Sequence, residues 1–185
     1  MRTRPFRGMV MFGCLTLMAA LGSALAAEEG KGEKIEFGDY SMQAPKDWTK
    51  KQPKVNIIAY EFAAPAAEGD KIDGRMTIMA AGGSVEANLE RWYGQFAQPD
   101  GSATADKAKV EEKKIADQTV HMVDISGTFK DQAGPFAPAV VREGYRMLAA
   151  IIETKQGNLF VKFYGPEKTI KQHEEAFKGM IGSLK

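Results

Sequence analysis

The sequence predicts an α+β domain, a mainly antiparallel sheet of about seven strands with two helices covering it. Three observations carry that expectation. An apolar run beginning at Arg75 meets Gly82-Gly83-Ser84. It continues into a segment where Val85, Leu89, Trp92 and Phe96 recur at i, i+4, i+7 and i+11, one stripe of a 3.6-residue helix. Residues 145–154 and 159–164 flank Lys155-Gln156-Gly157-Asn158, a short loop with the Gly and Asn that positive φ requires, and so form a hairpin. Residues 147–152 are apolar on both faces, which makes that strand central and places the two helices on opposite faces of the sheet.

Taken in order, residues 27–34 are charged and Gly-containing and predict a flexible leader before a single domain over 35–185. Ile35, Phe37, Tyr40, Met42 and Ala44 mark a strand interrupted at Gly38-Asp39, closed by Pro45 and followed by a turn into Trp48. Residues 55–63 alternate as a second strand, and a polar loop with Pro65, Gly69 and Gly74 leads to a third. Ser84 supplies an N-cap to a helix over 84–98, which Pro99 stops. Residues 107–115 are charged enough for an edge strand guarded by lysines, and Ala116-Asp117-Gln118 turns the chain into a strand over 119–129. Residues 130–144, rich in Gly and Pro, are expected as a long surface loop. After the hairpin, Gly165-Pro166 leads to a helix over 169–184. There Thr169 and Gln172 form a capping box, and Ile170, Phe177, Met180, Ile181 and Leu184 share a face.

The first 26 residues combine Arg2, Arg4 and Arg7, an apolar run from Met9, and Ala24-Leu25-Ala26, the pattern of a cleaved secretory signal. A retained membrane anchor and a lipoprotein signal at Cys14 are the competing readings, weakened respectively by interrupting polar and glycine residues and by Met11 where a leucine is expected. Cleavage removes three of 25 basic residues and no acids, leaving 22 against 24 acidic residues and no basic run, so nucleic acid is not an expected partner. Localisation is thus expected to be periplasmic or extracellular, with no integral membrane segment after cleavage. Cys14, the sole cysteine, leaves with the signal, which excludes disulfides, thiol nucleophiles and thiolate metal sites from the mature chain.

No motif points to a cofactor, a metal or a catalytic group. His121 and His173 have no His, Cys or carboxylate companion at ligand spacing and are expected as packed or solvent-edge residues. Gly82-Gly83-Ser84 offers N–H groups that could cradle an anion, yet lacks both the GxGxxG spacing and a following Lys-Ser/Thr; a capped turn is the simpler account. Glu111-Glu112 and Glu174-Glu175 are expected as solvated charges.

Several segments together resemble the PsbP-like fold: FGDYSMQAPKDW at 37–48, AGGSVEANLERWYGQFAQPDG at 81–101, GYRMLAAIIET at 144–154 and FVKFYGPEKTI at 160–170. That fold, an α/β/α sandwich, is shared by the extrinsic oxygen-evolving subunit of photosystem II, a Ran-binding nuclear import factor and many uncharacterised exported bacterial proteins. The last branch is the one these segments resemble, over residues 35–185. The resemblance implies the fold and no catalytic residues, and a nuclear import role is incompatible with a secretory signal. The expected function is a non-catalytic binding or accessory protein of the cell envelope, for an unknown protein or envelope ligand. Its candidate partner-binding residues are Phe136, Val140, Arg142 and Tyr145, in or beside the long loop, where apolar side chains are atypical of a solvating linker. The alternative is a small envelope enzyme with a carboxylate and arginine site near residues 130–144. Equally, the apolar side chains of that loop could fold back to cover one end of the sheet.

Overall fold

The computed structural model describes Met1, residues 32–132 and residues 138–185, so the signal segment past Met1 and Phe136 lie outside the described residues. Alternation of apolar and polar residues builds first a hairpin, β1 (Lys34–Phe37) and β2 (Tyr40–Gln43), turning at Gly38, whose φ is 56°. The chain continues through β3 (Thr49–Lys51), β4 (Tyr60–Ala64), β5 (Gly74–Ala81), α1 (Val85–Tyr93), β6 (Phe96–Ala97), α2 (Thr104–Lys107) and β7 (Lys109–Ile115). It closes with β8 (Gln118–Asp131), β9 (Val140–Thr154), β10 (Gly157–Pro166), α3 (Glu167–Gln172) and α4 (Glu174–Gly182). Eight strands form one antiparallel sheet in the order β3-β4-β5-β10-β9-β8-β6, with β7 on the same side of β8 as β6.

As expected of a strand apolar on both faces, β9 lies at the centre between β10 and β8. Its Leu148, Ala150 and Ile152 join one core with Phe163, Phe177 and Ile181, beneath α3, α4 and the β1–β2 hairpin. Its Met147, Ala149 and Ile151 join a second core with Trp92, Phe160 and Val123, beneath α1. The hairpin is tied to the far end of the chain, because Ser41 and Lys185 exchange backbone hydrogen bonds of 2.9 and 3.1 Å and Gln43 N–H donates to Ser183 Oγ at 2.8 Å.

Four boundaries differ from the sequence expectation. Residues 55–59 form turns rather than strand, leaving Ile57 69% exposed, and β4 starts only at Tyr60. The first helix ends at Gly94 instead of Gln98, because the Lys130 N–H reaches Gln95 C=O at 2.8 Å and Phe96-Ala97 pair with β8. Phe96 is buried nonetheless, as a strand residue tilted against Phe129. The expected long loop over 130–144 is partly hairpin: Asp131, Lys130 and Phe129 pair with Val140, Val141 and Arg142, which takes 130–131 and 140–144 into β8 and β9. Finally, the last helix breaks at His173, and Thr169 lies within α3 rather than at its cap.

What caps α3 comes from a distant loop. The Asp70 carboxylate accepts from Thr169 N–H at 3.1 Å and from Thr169 Oγ1–H at 2.6 Å, and that hydroxyl oxygen in turn accepts from Ala67 N–H at 3.0 Å. Thr169 is completely buried, so losing its acceptor leaves a polar group without a partner. Asp70→Ala is expected to cost about 1–2 kcal/mol in urea melts, the range for a lost helix cap; an unchanged midpoint would show that water replaces the carboxylate.

Candidate functional site

Antiparallel pairing lines up alternate side chains of β4, β5 and β10 on the face where α1 lies. Arg75 stands opposite Tyr164, Thr77 opposite Lys162, and Glu61 opposite Thr77. Because α1 stops at Gly94, its Trp92 covers Phe160 of β10 and the chain then leaves the face. Beyond it lies a cleft of 480 Å³, floored by Glu61, Arg75, Lys162 and Tyr164 and rimmed by residues 54–58 and 129–132. Its rim is partly apolar, with Val55 43% and Ile57 69% exposed.

Most of the polar floor is locked. Arg75 grips Glu61 with two parallel hydrogen bonds, Nε to Oε1 at 3.0 Å and Nη2 to Oε2 at 2.8 Å, while Nη1 donates to the Tyr164 hydroxyl at 2.5 Å. The bonds from Arg75 hold the Glu61 carboxyl below the usual range and, with Tyr164, raise the guanidinium well above it. Burial pushes the Tyr164 phenol up, so it remains a neutral hydroxyl with its proton available to donate. Asp131, the other carboxylate at the cleft, accepts from Arg142 Nε at 3.2 Å.

Lys162 is different. Its ammonium donates to Gln95 Oε1 at 2.7 Å and stands 5.6 Å from the ring centres of both Trp92 and Tyr164. Among the described residues no carboxylate is paired with it. Loss of water around the ammonium, with Arg91 and Arg75 adding repulsion, lowers Lys162 to about 7. A half-buried cation therefore faces an accessible cleft from a rigid central strand.

No protein-family model matches the chain, and no curated protein matches its sequence. Solved structures do resemble it. The cyanobacterial PsbP (CyanoP) of Synechocystis sp. PCC 6803 superposes with a TM-score of 0.50 at 11% identity, covering 89% of this chain and 98% of that one. The fold is PsbP-like. A protein of unknown function from Pseudomonas aeruginosa aligns with a TM-score of 0.46 at 15% identity, over 83% of this chain and 96% of that one. A Bacteroides thetaiotaomicron protein aligns with a TM-score of 0.43 at 17% identity, over 83% of this chain and 48% of the other.

Within this PsbP-like frame the described sequence candidates, Val140, Arg142 and Tyr145, fall at or near the cleft without forming its floor. Val140 and the adjacent Val141 are 51% and 65% exposed at the start of β9. Arg142 holds Asp131 at the rim. Tyr145 is 7% exposed, its ring stacked on Phe129, so it supports a lining residue from below instead of offering a surface. Lys162 escaped sequence reasoning, although a lone lysine in Leu159-Phe160-Val161-Lys162-Phe163-Tyr164 is a visible signal in a strand expected to pack on both faces.

Both histidines gain partners from across the fold. His173 is buried; its Nδ1 accepts from Trp48 Nε1–H at 3.2 Å, with the Asp47 carboxylate 3.7 Å away, and its Nε2 lies 2.9 Å from Pro65 C=O, which gives both ring nitrogens a partner. His121 Nε2 lies 2.7 Å from Glu153 Oε1 on β9, a carboxylate 32 residues away. At Gly82-Gly83-Ser84 the hydroxyl of Ser84 accepts from Ala87 N–H at 3.2 Å, and Glu86 occupies the first turn, so this chain's own groups serve the helix start. A second cleft of 290 Å³ lies on the opposite face, but its Arg146 is bound to Asp124 at 2.8 and 2.9 Å and to Glu174 at 2.7 Å, and Lys178 also holds Glu174. That cluster clamps β8, β9 and α4 together.

Proposed function

We propose that the chain is an exported, non-catalytic binding or accessory protein of the cell envelope, and that it binds through the cleft on the α1 face. The observation that carries the binding reading is the state of the cleft's charges. Both carboxylates that line it are engaged by arginines, while Lys162 and the Tyr164 hydroxyl keep donors to offer. Such a floor suits holding an acceptor group, since neither carboxylate is free to act as a general base. Export is supported by the arginine-rich start, the apolar run and Ala24-Leu25-Ala26. The alternative of a small envelope enzyme draws on Lys162, whose amine is poised near 7.

N-terminal sequencing of the protein recovered from its cells is expected to give a start at Ala27. An intact chain held in membranes would overturn cleavage and favour the retained anchor. Mass spectrometry of partners and ligands that co-purify with the mature chain is expected to find a species retained by the wild type and lost with Lys162→Met. Retention by both would take the binding site away from the cleft.

A further inference from the structure

Resting on that reading, the geometry points to a small organic carboxylate with an apolar body as the ligand class of the cleft, its anion set between the Lys162 ammonium and the Tyr164 hydroxyl. Charge comes first. Lys54, Arg75, Lys130 and Lys162 line the cleft against Glu61 and Asp131, and Arg75 and Arg142 already neutralise the two acids. The floor therefore carries a surplus of positive charge at Lys162, strengthened by Arg91 from the α1 side.

Donor geometry comes second. The Tyr164 oxygen accepts from Arg75, leaving its O–H to donate, and Lys162 spends one N–H on Gln95, leaving two. Their side chains project from alternate positions of β10 onto one face, and the Lys162 nitrogen lies over the Tyr164 ring, 5.6 Å from its centre. Both free donors line the same cleft, where a carboxylate offers two acceptor oxygens.

Size and polarity come third. At 480 Å³ the cleft is in the range of small-molecule sites, and Met79, Phe129, Val55, Ile57 and Ile58 offer apolar wall to a short hydrocarbon body. A compact, strongly hydrated anion such as phosphate would leave that apolar wall unused.

The ligand class also sets a proton linkage. The groups facing Lys162 are Arg75 on β5, Arg91 on α1, Tyr164 on β10, Glu61 on β4 and Asp131 on β8, with Lys54 and Lys130 at the rim. Since the free ammonium titrates at about 7 and a bound carboxylate favours its charged form, binding takes up a proton above that pH.

Calorimetric titration of the mature protein with hexanoate, hexanamide and inorganic phosphate tests this. Hexanoate is expected to bind at least tenfold more tightly than hexanamide or phosphate, and its affinity to fall about tenfold between pH 6 and pH 8. Lys162→Met is expected to abolish the preference for hexanoate over hexanamide, and Tyr164→Phe, which keeps the ring, to weaken hexanoate about tenfold to a hundredfold, the value of one lost hydrogen bond to a charged acceptor. Thermal melts confirm that each variant is folded. Equal binding of hexanoate and hexanamide, phosphate binding as tightly as hexanoate, no hexanoate binding, or a preference that survives in Lys162→Met would each overturn the inference. If hexanoate fails while a co-purifying species still depends on Lys162, the ligand class falls and the cleft remains the binding site; if both fail, the binding reading falls as well.

Discussion

Trp92→Ala lowers the free energy of unfolding by about 3–5 kcal/mol, the range for emptying a large aromatic site in a packed core. Trp92 is 1% exposed and meets the Phe160 ring edge-on at 6.0 Å, in the centre of the smaller core under α1. The helix that carries it has nine residues, too short to persist without its buried face. Its other stripe residues, Val85 and Leu89, are only partly buried, so little else attaches α1 to the sheet. Alanine therefore removes the main contact of an element as well as its own buried area. Urea melts followed by circular dichroism measure the effect, and an unchanged midpoint would mean that α1 docks without its tryptophan. The same variant strips one wall from around Lys162, whose ammonium stands over the indole.

The second large effect has the opposite sign. Lys162→Met is expected to stabilise the protein by about 2 kcal/mol at pH 7 and to flatten its stability between about pH 7 and pH 10. The folded state holds Lys162 at about 7, whereas the unfolded chain restores the ordinary lysine value of 10.5. Between those values the unfolded state binds more protons, so wild-type stability rises with pH across the window. Below about pH 7 both states are charged and the full cost of desolvating the ammonium is felt; above 10.5 both are neutral and it vanishes. The shift converts to about 5 kcal/mol at 1.36 kcal/mol per unit, but the hydrogen bond to Gln95 and packing of the lysine stem are lost in the variant, which reduces the expected gain. Methionine preserves much of the stem's volume. Melts at pH 6.5 and pH 9.5 decide it: a wild type no more stable at the higher pH, or a variant less stable than wild type at pH 7, would sink the account. A destabilising side chain kept at the floor of a cleft is one of the marks of a site held for binding.

Much of the architecture was legible because it is written in local periodicity. Ser84 reads as a cap from its position before an apolar stripe, β7 as an edge from its lysines, and β9 as central from apolar residues on both faces. Where the expectation missed, a remote backbone or side chain decided. Phe96 continues the helical stripe by spacing alone, and burial looks the same on a helix or a strand; only the pairing of residues 95–97 with β8 tells them apart. Thr169 and Gln172 spell a capping box, yet the carboxylate that serves the helix start is Asp70, 99 positions away. His173 has no partner within its own segment because Trp48 and Pro65 lie more than a hundred positions earlier in the chain. At the cleft, sequence singled out the rim through Arg142 and passed over Lys162, whose importance comes from neighbours on α1, β4 and β5 rather than from its own strand.

The clasp between Ser41 and Lys185 bears on when the domain can close. A contact spanning 144 positions demands a large loop-closure entropy and so forms after local pairings such as β9 with β10. During synthesis from the N-terminus, β1 and β2 emerge early but find Ser183 and Lys185 only once those residues have left the ribosome, at roughly 5–20 residues per second. Until then α4 and the hairpin stay apart, and Ile35 and Met42 lack Phe177, Met180 and Ile181, which share their core. Docking of the hairpin against α4 is thus a late, long-range step of folding, and the two faces of the sheet close at different times.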